Sequence, residues 1–365
     1  MENGRILVDV SRSGRVRPWR EHKANSVLLS EAFRRLQQEN KAKRVKECGS
    51  VLTFGVCPEG HEKRLLFANF CRVRLCPMCS WRRSIVIAHQ VRLVAHEAAI
   101  RQPLRWLFLT VTVRNCSGDE LKNTISWMMN SWHRFVGRKA FKQVVIGWFR
   151  SLEITRNPVD GTYHPHYHVL LAVLPRYFKG KDYLTHADWV TLWQTALKVD
   201  YTPVVDVRTV KEKRNVEREK EILDEKGIEL VEAEGELPAS AVAEIAKYSV
   251  KAGDYLVYRR YRQMQEGRKI VLAADKSSGI DEFVTDRVVS DLDSAMKGRR
   301  FIAYGGLLKE IWQELQRLER VQDAESESVD LVNVEGDDSC QCSVCGSSFM
   351  EEVYRWIPAL GNYFA

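Results

Sequence analysis

Between residues 84 and 210 the hydrophobic positions switch repeatedly between two rhythms. Residues 84–100 (SIVIAHQVRLVAHEAAI) carry apolar side chains at helical spacing. LRWLFLTVTVRN (104–115) is rich in β-branched and aromatic residues and predicts a strand. Ser117 ahead of Asp119 and Glu120 opens a helical stretch to residue 136. VVIGWFRSLEITR (144–156) and TYHPHYHVLLAVL (162–174) read as strands joined by the turn NPVDG. A helix capped by Thr185 over 185–199 and a short strand at 203–210 follow. The order β-α-β-β-α-β predicts an α+β fold, with the antiparallel sheet of ferredoxin-like domains.

The flanks are less regular. Residues 1–47 form a basic N-terminal arm with 12 Lys/Arg against 6 Asp/Glu, and Ser30 could cap a helical patch over 30–38. Residues 48–100 make a cysteine-rich, zinc-binding unit and helix, and 101–260 hold the sheet domain with a charged insertion at 211–236. Within 101–260 a further helix is expected over 239–256, beginning near Ser240. A helical C-terminal region (261–322) and an acidic linker with a cysteine tail (323–365) complete the chain.

Composition narrows the partners. The 365 residues are 45% hydrophobic, enough for two or three domains of roughly 150 residues. The longest apolar run, 169–174, is far short of the roughly 20 residues of a membrane helix, so no membrane partner is expected. MENGRILVDVSRSG lacks the apolar core of a secretory signal, which predicts a reducing cytoplasm and makes the nine cysteines metal ligands or buried thiols. The net charge of +8 is weak by itself, but its distribution is informative. Residues 70–105 carry 7 arginines against Glu97 alone, whereas 211–236 carry 6 basic and 10 acidic side chains. A basic front with acidic connectors fits a chain of which one part meets nucleic acid.

Three clusters carry chemistry. On a strand, His164, His166 and His168 share one face, and the turn length sets Glu153 opposite His166. Two imidazoles and a carboxylate suit a divalent ion such as Mg²⁺ or Mn²⁺ and leave coordination positions open. His164, next to Pro165 and the turn, either supports a ligand or contacts DNA. In EIAKYSVKAGDYL, helical spacing stacks Glu244 and Tyr248, with Lys251 on the same face and Lys247 beside it. Ammonium groups and a metal-bound phosphate favour a phenolate, and the carboxylate can take a proton from tyrosine or water. Tyr255 returns to that face too, but Gly253 is expected to interrupt the helix. Cys76 and Cys79 form a tight pair for tetrahedral Zn²⁺, with Cys71 and one of Cys48 or Cys57 completing the set and His61 a further candidate. Arg72, Arg74, Arg82 and Arg83 decorate this knuckle and could clamp phosphates. Cys340, Cys342 and Cys345 are either a zinc half-site or incidental thiols, and Cys116 packs.

FLTVTVRN (108–115), SLEIT followed by HPHYHVLL (151–171) and EIAKYSVKAGDYL (244–256) together resemble the rolling-circle replication initiators (Rep proteins) of small bacterial plasmids, within the HUH endonucleases. CRVRLCPMCSWRR (71–83) is similar to the cysteine-rich segment that precedes the nuclease in that family. The resemblance spans residues 48 to 256 and implies a ferredoxin-like HUH nuclease. It makes His166 and His168 the paired metal histidines, with Glu153 where a third ligand stands. It makes Tyr248 the nucleophile that joins DNA through a 5′-phosphotyrosine and frees a 3′-OH primer. Glu244 then matches the acid that some members use to activate water at termination. The implied partners are origin duplex, the single-stranded nick site, and host helicase and polymerase. The competing readings are an HUH transposase or relaxase, and a non-catalytic zinc DNA-binding regulator.

Overall fold

The computed structural model describes residues 5–11, 14, 16–210, 237, 239–246, 249–266, 269–334 and 339–365. The basic N-terminus is no free arm. Residues Trp19–Arg35 (α1) and Glu39–Glu47 (α2) are helices, and α1 buries Trp19, Leu29 and Phe33. Ser30 lies buried inside α1 and caps nothing; its hydroxyl donates to the Val27 carbonyl. Lys23 is 1% exposed, and its ammonium donates to the carbonyls of Lys46 and Cys48 and to the Ser50 hydroxyl. Part of the positive surplus is therefore consumed inside the fold.

A hairpin of Val51–Val56 (β1) and Lys63–Ala68 (β2) leads into the long helix Pro77–Arg101 (α3), which contains the predicted 84–100. Then comes the predicted alternation: Arg105–Thr112 (β3), Gly118–Val136 (α4), Lys139–Val144 (α5), Val145–Arg156 (β4), Tyr163–Val173 (β5), His186–Leu197 (α6) and Val205–Thr209 (β6). Ser117 and Glu120 form a capping box on α4, as do Thr185 and Asp188 on α6, which satisfies amide groups that a helix start leaves open. The β4–β5 turn is closed by the Asn157 N–H donating to the Thr162 carbonyl at 2.8 Å. Gly161 sits there at φ +76°, where a side chain would be strained.

The C-terminal half differs from the expected run of helices. The predicted helix over 239–256 is broken into Ala239–Ile245 (α7) and Ala252–Tyr255 (α8), and Gly253 lies inside α8 instead of interrupting a helix. A hairpin, Tyr261–Glu266 (β7) and Lys269–Ala274 (β8), precedes Glu282–Met296 (α9). Ile302–Gly306 (β9) and Leu307–Arg317 (α10) follow, and the tail adds Met350–Ile357 (β10) and Asn362–Phe364 (β11).

Two larger sheets result. The first has the order β6-β3-β5-β4-β9, with every neighbouring pair antiparallel. Its α4–α6 face is aromatic: Trp132 meets Trp148 and Tyr167 at centroid distances of 5.0 and 5.6 Å, and Phe135 meets Trp193 at 5.5 Å. Tyr167 and Val169 serve this face, so pleat alternation sends His166 and His168 to the other, where α7 packs on β5. The second sheet, β11-β10-β1-β2, joins the C-terminal tail to the cysteine-rich unit. The acidic linker thus leads not to an appendage but to strands that complete the front of the chain. Helix α9 lies on α1 and α4, and its Asp286 and Asp293 pair with Arg35 and Lys41 at 2.7 and 2.6 Å. No helix among the described residues is long and apolar enough to cross a membrane.

Candidate active site and cysteine clusters

The β4–β5 register pairs Glu153 with His166, as the turn length predicts. Glu153, His166 and His168 are all buried, and their ligating atoms lie within 4.8 Å of one another. Glu153 Oε2 is 3.3 Å from His166 Nε2 and 2.8 Å from His168 Nε2. The far side of each ring is also occupied. His166 Nδ1 is 3.0 Å from the His164 carbonyl, which can only accept, so that nitrogen carries the hydrogen. His168 Nδ1 lies 3.3 Å from the Thr110 hydroxyl. In the matching tautomer both Nε2 lone pairs converge on a carboxylate, an arrangement that calls for a positive charge among them. A divalent cation satisfies it, with the outer bonds fixing ring orientation.

The open edge of β4 carries the rest of the site. Beyond β9, the Leu152 N–H donates to the Phe301 carbonyl, the Ile154 N–H to the Ser249 carbonyl at 2.8 Å, and the Arg156 N–H to Asp254 Oδ1. Ser249 is therefore stitched to the strand one residue beyond Glu153. Lys251 reaches back, its Nζ 2.9 Å from Glu153 Oε1. Burial alone would lower the Lys251 pKa, but the Glu153 charge and hydrogen bond outweigh it and raise the pKa. Glu244, half-buried on α7, has Oε1 4.0 Å from His168 Nε2. Glu244 thus reaches the cluster from α7 and Lys251 from the extended residue just before α8, not from one shared helical face. Tyr248 and Lys247 lie outside the described residues. Tyr255 is 1% exposed and donates its hydroxyl to the Leu75 carbonyl at 2.7 Å, which makes it a packing residue. His164 lies at the rim, bonded to Asn115 at 2.8 Å, with its pKa lowered by burial and by His166. A cleft of about 270 Å³ adjoins Lys251, walled by His22, Val250, Leu256 and Tyr258.

Seven of the nine cysteines, with His61, fall into two groups of four that could each hold a metal ion. Cys48, Cys71, Cys76 and Cys79 are all buried, with Cys79 Sγ 3.5 Å from Cys48 and 3.7 Å from Cys71. The Cys71 and Arg72 amides donate to Cys48 and Cys79 sulfurs, as backbone does to thiolates. Full burial opposes charge on Cys76, yet bonds from Cys48, Cys71 and Cys79 bring it well below an ordinary thiol. The choice between Cys48 and Cys57 thus falls to Cys48. Cys57 stands with His61, Cys342 and Cys345 in the other set, and Cys340 lies outside both. The C-x₃-H and C-x₂-C spacings were the available signals, but the chain offers no sign that they meet.

The arginines differ in fate. Arg82 is buried and donates to the carbonyls of Leu331 and Val332 at 2.7 and 2.9 Å, so it tethers the acidic linker and is not placed to clamp a phosphate. Arg72 is exposed and donates weakly to the Val329 carbonyl. Arg74, over the Phe301 ring, and Arg83 line a narrow cleft that reaches Ser249 and Val250. Glu325, also in that cleft, is 3.4 Å from Arg74.

The model of a family described as replication protein, Rep_1, matches residues 62–364. A relative described as Protein rep from Bacillus amyloliquefaciens is 39% identical over 365 residues, covering 98% of this chain and 96% of its own length. Similar proteins of that description come from Lentilactobacillus hilgardii, 38% identical over 99% of this chain and 98% of theirs, and from Streptococcus pneumoniae, 36% identical over 86% and 84%. No solved structure matches.

Proposed function

The chain belongs to the Rep_1 family of replication proteins, and from that premise we propose that it initiates rolling-circle plasmid replication by nicking one DNA strand with Tyr248. The observation that carries this reading is the convergence on one face of the sheet, beside the open edge of β4, of Glu153, His166 and His168 with Lys251, Glu244 and Ser249, the residue following Tyr248. The sheet order, with the two-histidine strand at its centre, supports a ferredoxin-like HUH nuclease.

A divalent ion held by Glu153, His166 and His168 would polarise a non-bridging oxygen of the scissile phosphate. The residues around it supply the rest. Tyr248 attacks phosphorus in line, the 3′-oxygen leaves, and the phosphotyrosine keeps the bond energy needed for rejoining. Lys251, fixed by Glu153 and with its pKa raised, stays protonated and favours phenolate over phenol. Arg74 and Arg83, beside Ser249, would add positive charge near the strand's phosphates. The apolar cleft beside Lys251 offers a wall on which a base can stack. The buried Cys48, Cys71, Cys76 and Cys79 set would hold structural zinc and brace α3, which carries Arg83.

With Mn²⁺ and random-sequence single-stranded DNA, the chain should cleave one sequence class and stay attached to the new 5′ end at each junction. Junction sequencing identifies that class, and binding without cleavage would move the assignment to a non-catalytic regulator. Glu244 gives a separate prediction. One tyrosine needs a second nucleophile to finish, and Glu244 stands 4.0 Å from His168, where it can take a proton from water. Glu244→Ala should nick at near wild-type rate yet accumulate covalent product, with single-stranded circle release falling about 10²-fold. Normal circle release would remove Glu244 from that role.

A further inference from the structure

We propose that Cys57, His61, Cys342 and Cys345 form a second zinc site, which clasps the C-terminal tail onto the cysteine-rich unit. Their donor atoms lie within 4.8 Å of one another although Cys57 and Cys345 are 288 positions apart. In a tetrahedron with Zn–S bonds of ~2.3 Å, two sulfurs stand ~3.8 Å apart. Cys57 Sγ is 3.5 Å from Cys345 Sγ and 3.8 Å from His61 Nδ1. Three thiols and one imidazole are a structural zinc set, with no position left open for substrate.

The backbone of both halves has the form of a metal knuckle. At the β1–β2 turn, the Cys57 N–H donates to the Glu62 carbonyl and the Gly60 N–H to the Cys57 carbonyl, with Gly60 at φ +76°. In the tail, the Cys342 N–H donates to the Ser347 carbonyl and the Gly346 N–H to the Cys342 carbonyl, with Gly346 at φ +72°. Glu62 ties the knuckles together by accepting from both the amide and the hydroxyl of Ser343, at 2.9 and 2.6 Å. These turns are ordered around the ligands by bonds that do not involve the ligand atoms.

The position of the site gives it a purpose. Strand β1 is preceded by Cys48 of the first set and followed by Cys57 of the second, so zinc would anchor it at both ends. Strand β10, just past the second knuckle, pairs with β1 along its length. Loss of the second ion would free the tail while leaving the buried first set intact.

Elemental analysis of the full chain should find two zinc ions per molecule. Cys342→Ser with Cys345→Ser should bind one, and trypsin should release its tail at least about ten-fold faster. Cys340→Ser, outside the set, should keep two, and His61→Cys should as well. If the double variant fails to fold, release to the chelator 4-(2-pyridylazo)resorcinol from the wild-type chain decides. Two phases of one equivalent each are expected, the faster from the set whose His61 and Cys345 are exposed. One equivalent in a single phase, zinc content unchanged in a folded double variant, or a Cys57–Cys345 disulfide in the purified chain would overturn the proposal. None of these outcomes bears on Tyr248 or on nicking.

Discussion

With Tyr248→Phe, covalent attachment of the chain to the new 5′ end of a cleaved strand should vanish, and nicking should fall by at least about 10³-fold. Affinity for origin duplex should hold within about two-fold, because phosphate contacts supply most of it. The substitution removes one oxygen and leaves the ring, so loss of fold is not the expected cause. An ordinary tyrosine has a pKa near 10, so its attack needs a lowered proton affinity and a fixed approach. Two described residues close to it in sequence bear on both requirements: Lys251 lies against Glu153, and Ser249, one peptide bond beyond Tyr248, is hydrogen-bonded to β4 beside Glu153. Tyr255→Phe is the matched control. Its hydroxyl is spent on the Leu75 carbonyl, so the variant should lose about 1 kcal/mol of stability and keep the adduct. A 5′-linked adduct surviving in Tyr248→Phe, or lost in a folded Tyr255→Phe, would reverse the assignment.

The parts legible in the sequence are those fixed by short-range geometry. Glu153 can be placed opposite His166 because the Asn157–Thr162 closure sets the register, and Asn157 and Gly161 suit that turn alone. The capping boxes at Ser117 and Thr185 mark helix starts for the same local reason. What escaped depended on distant partners. Strand β9 falls within the expected helical region 261–322, and a Cβ on its Gly305 would strike the Trp148 ring, so glycine there serves close packing on β4. The helix expected over 239–256 gives way because the Ser249 carbonyl is taken by the edge of β4, a partner invisible to periodicity. Arg82 looked like its basic neighbours, and only the carbonyls of Leu331 and Val332 reveal it as an internal tether. Periodicity reports which face is apolar; it does not report which edge is short of hydrogen bonds.

Removing His166 or His168, the proposed metal ligands, should have nearly as large an effect as removing the tyrosine, with a signature that separates metal binding from mere packing. His168→Ala should lower nicking by at least about 10³-fold at any Mn²⁺ concentration, since it deletes one of three ligands. Thr110→Val keeps the ligand but removes the hydroxyl 3.3 Å from His168 Nδ1, so the ring loses its orienting bond. Outer partners of this kind typically contribute 10–100-fold in metal affinity, so this variant should need about ten-fold more Mn²⁺ yet recover near wild-type nicking at saturation. Thermal unfolding supplies a readout independent of catalysis. Wild-type chain in Mn²⁺ at about 100 times its dissociation constant should gain about 2.7 kcal/mol, and His166→Ala with His168→Ala should gain nothing. Under the rival view, Glu153, the two histidines and Lys251 are only a buried ion-pair network. Mn²⁺ would then shift the melting of neither chain, and Thr110→Val would show no dependence on metal concentration. Full nicking by His168→Ala in the presence of a chelator would exclude the metal role altogether. It would leave Lys251, 2.9 Å from Glu153, to meet the phosphate.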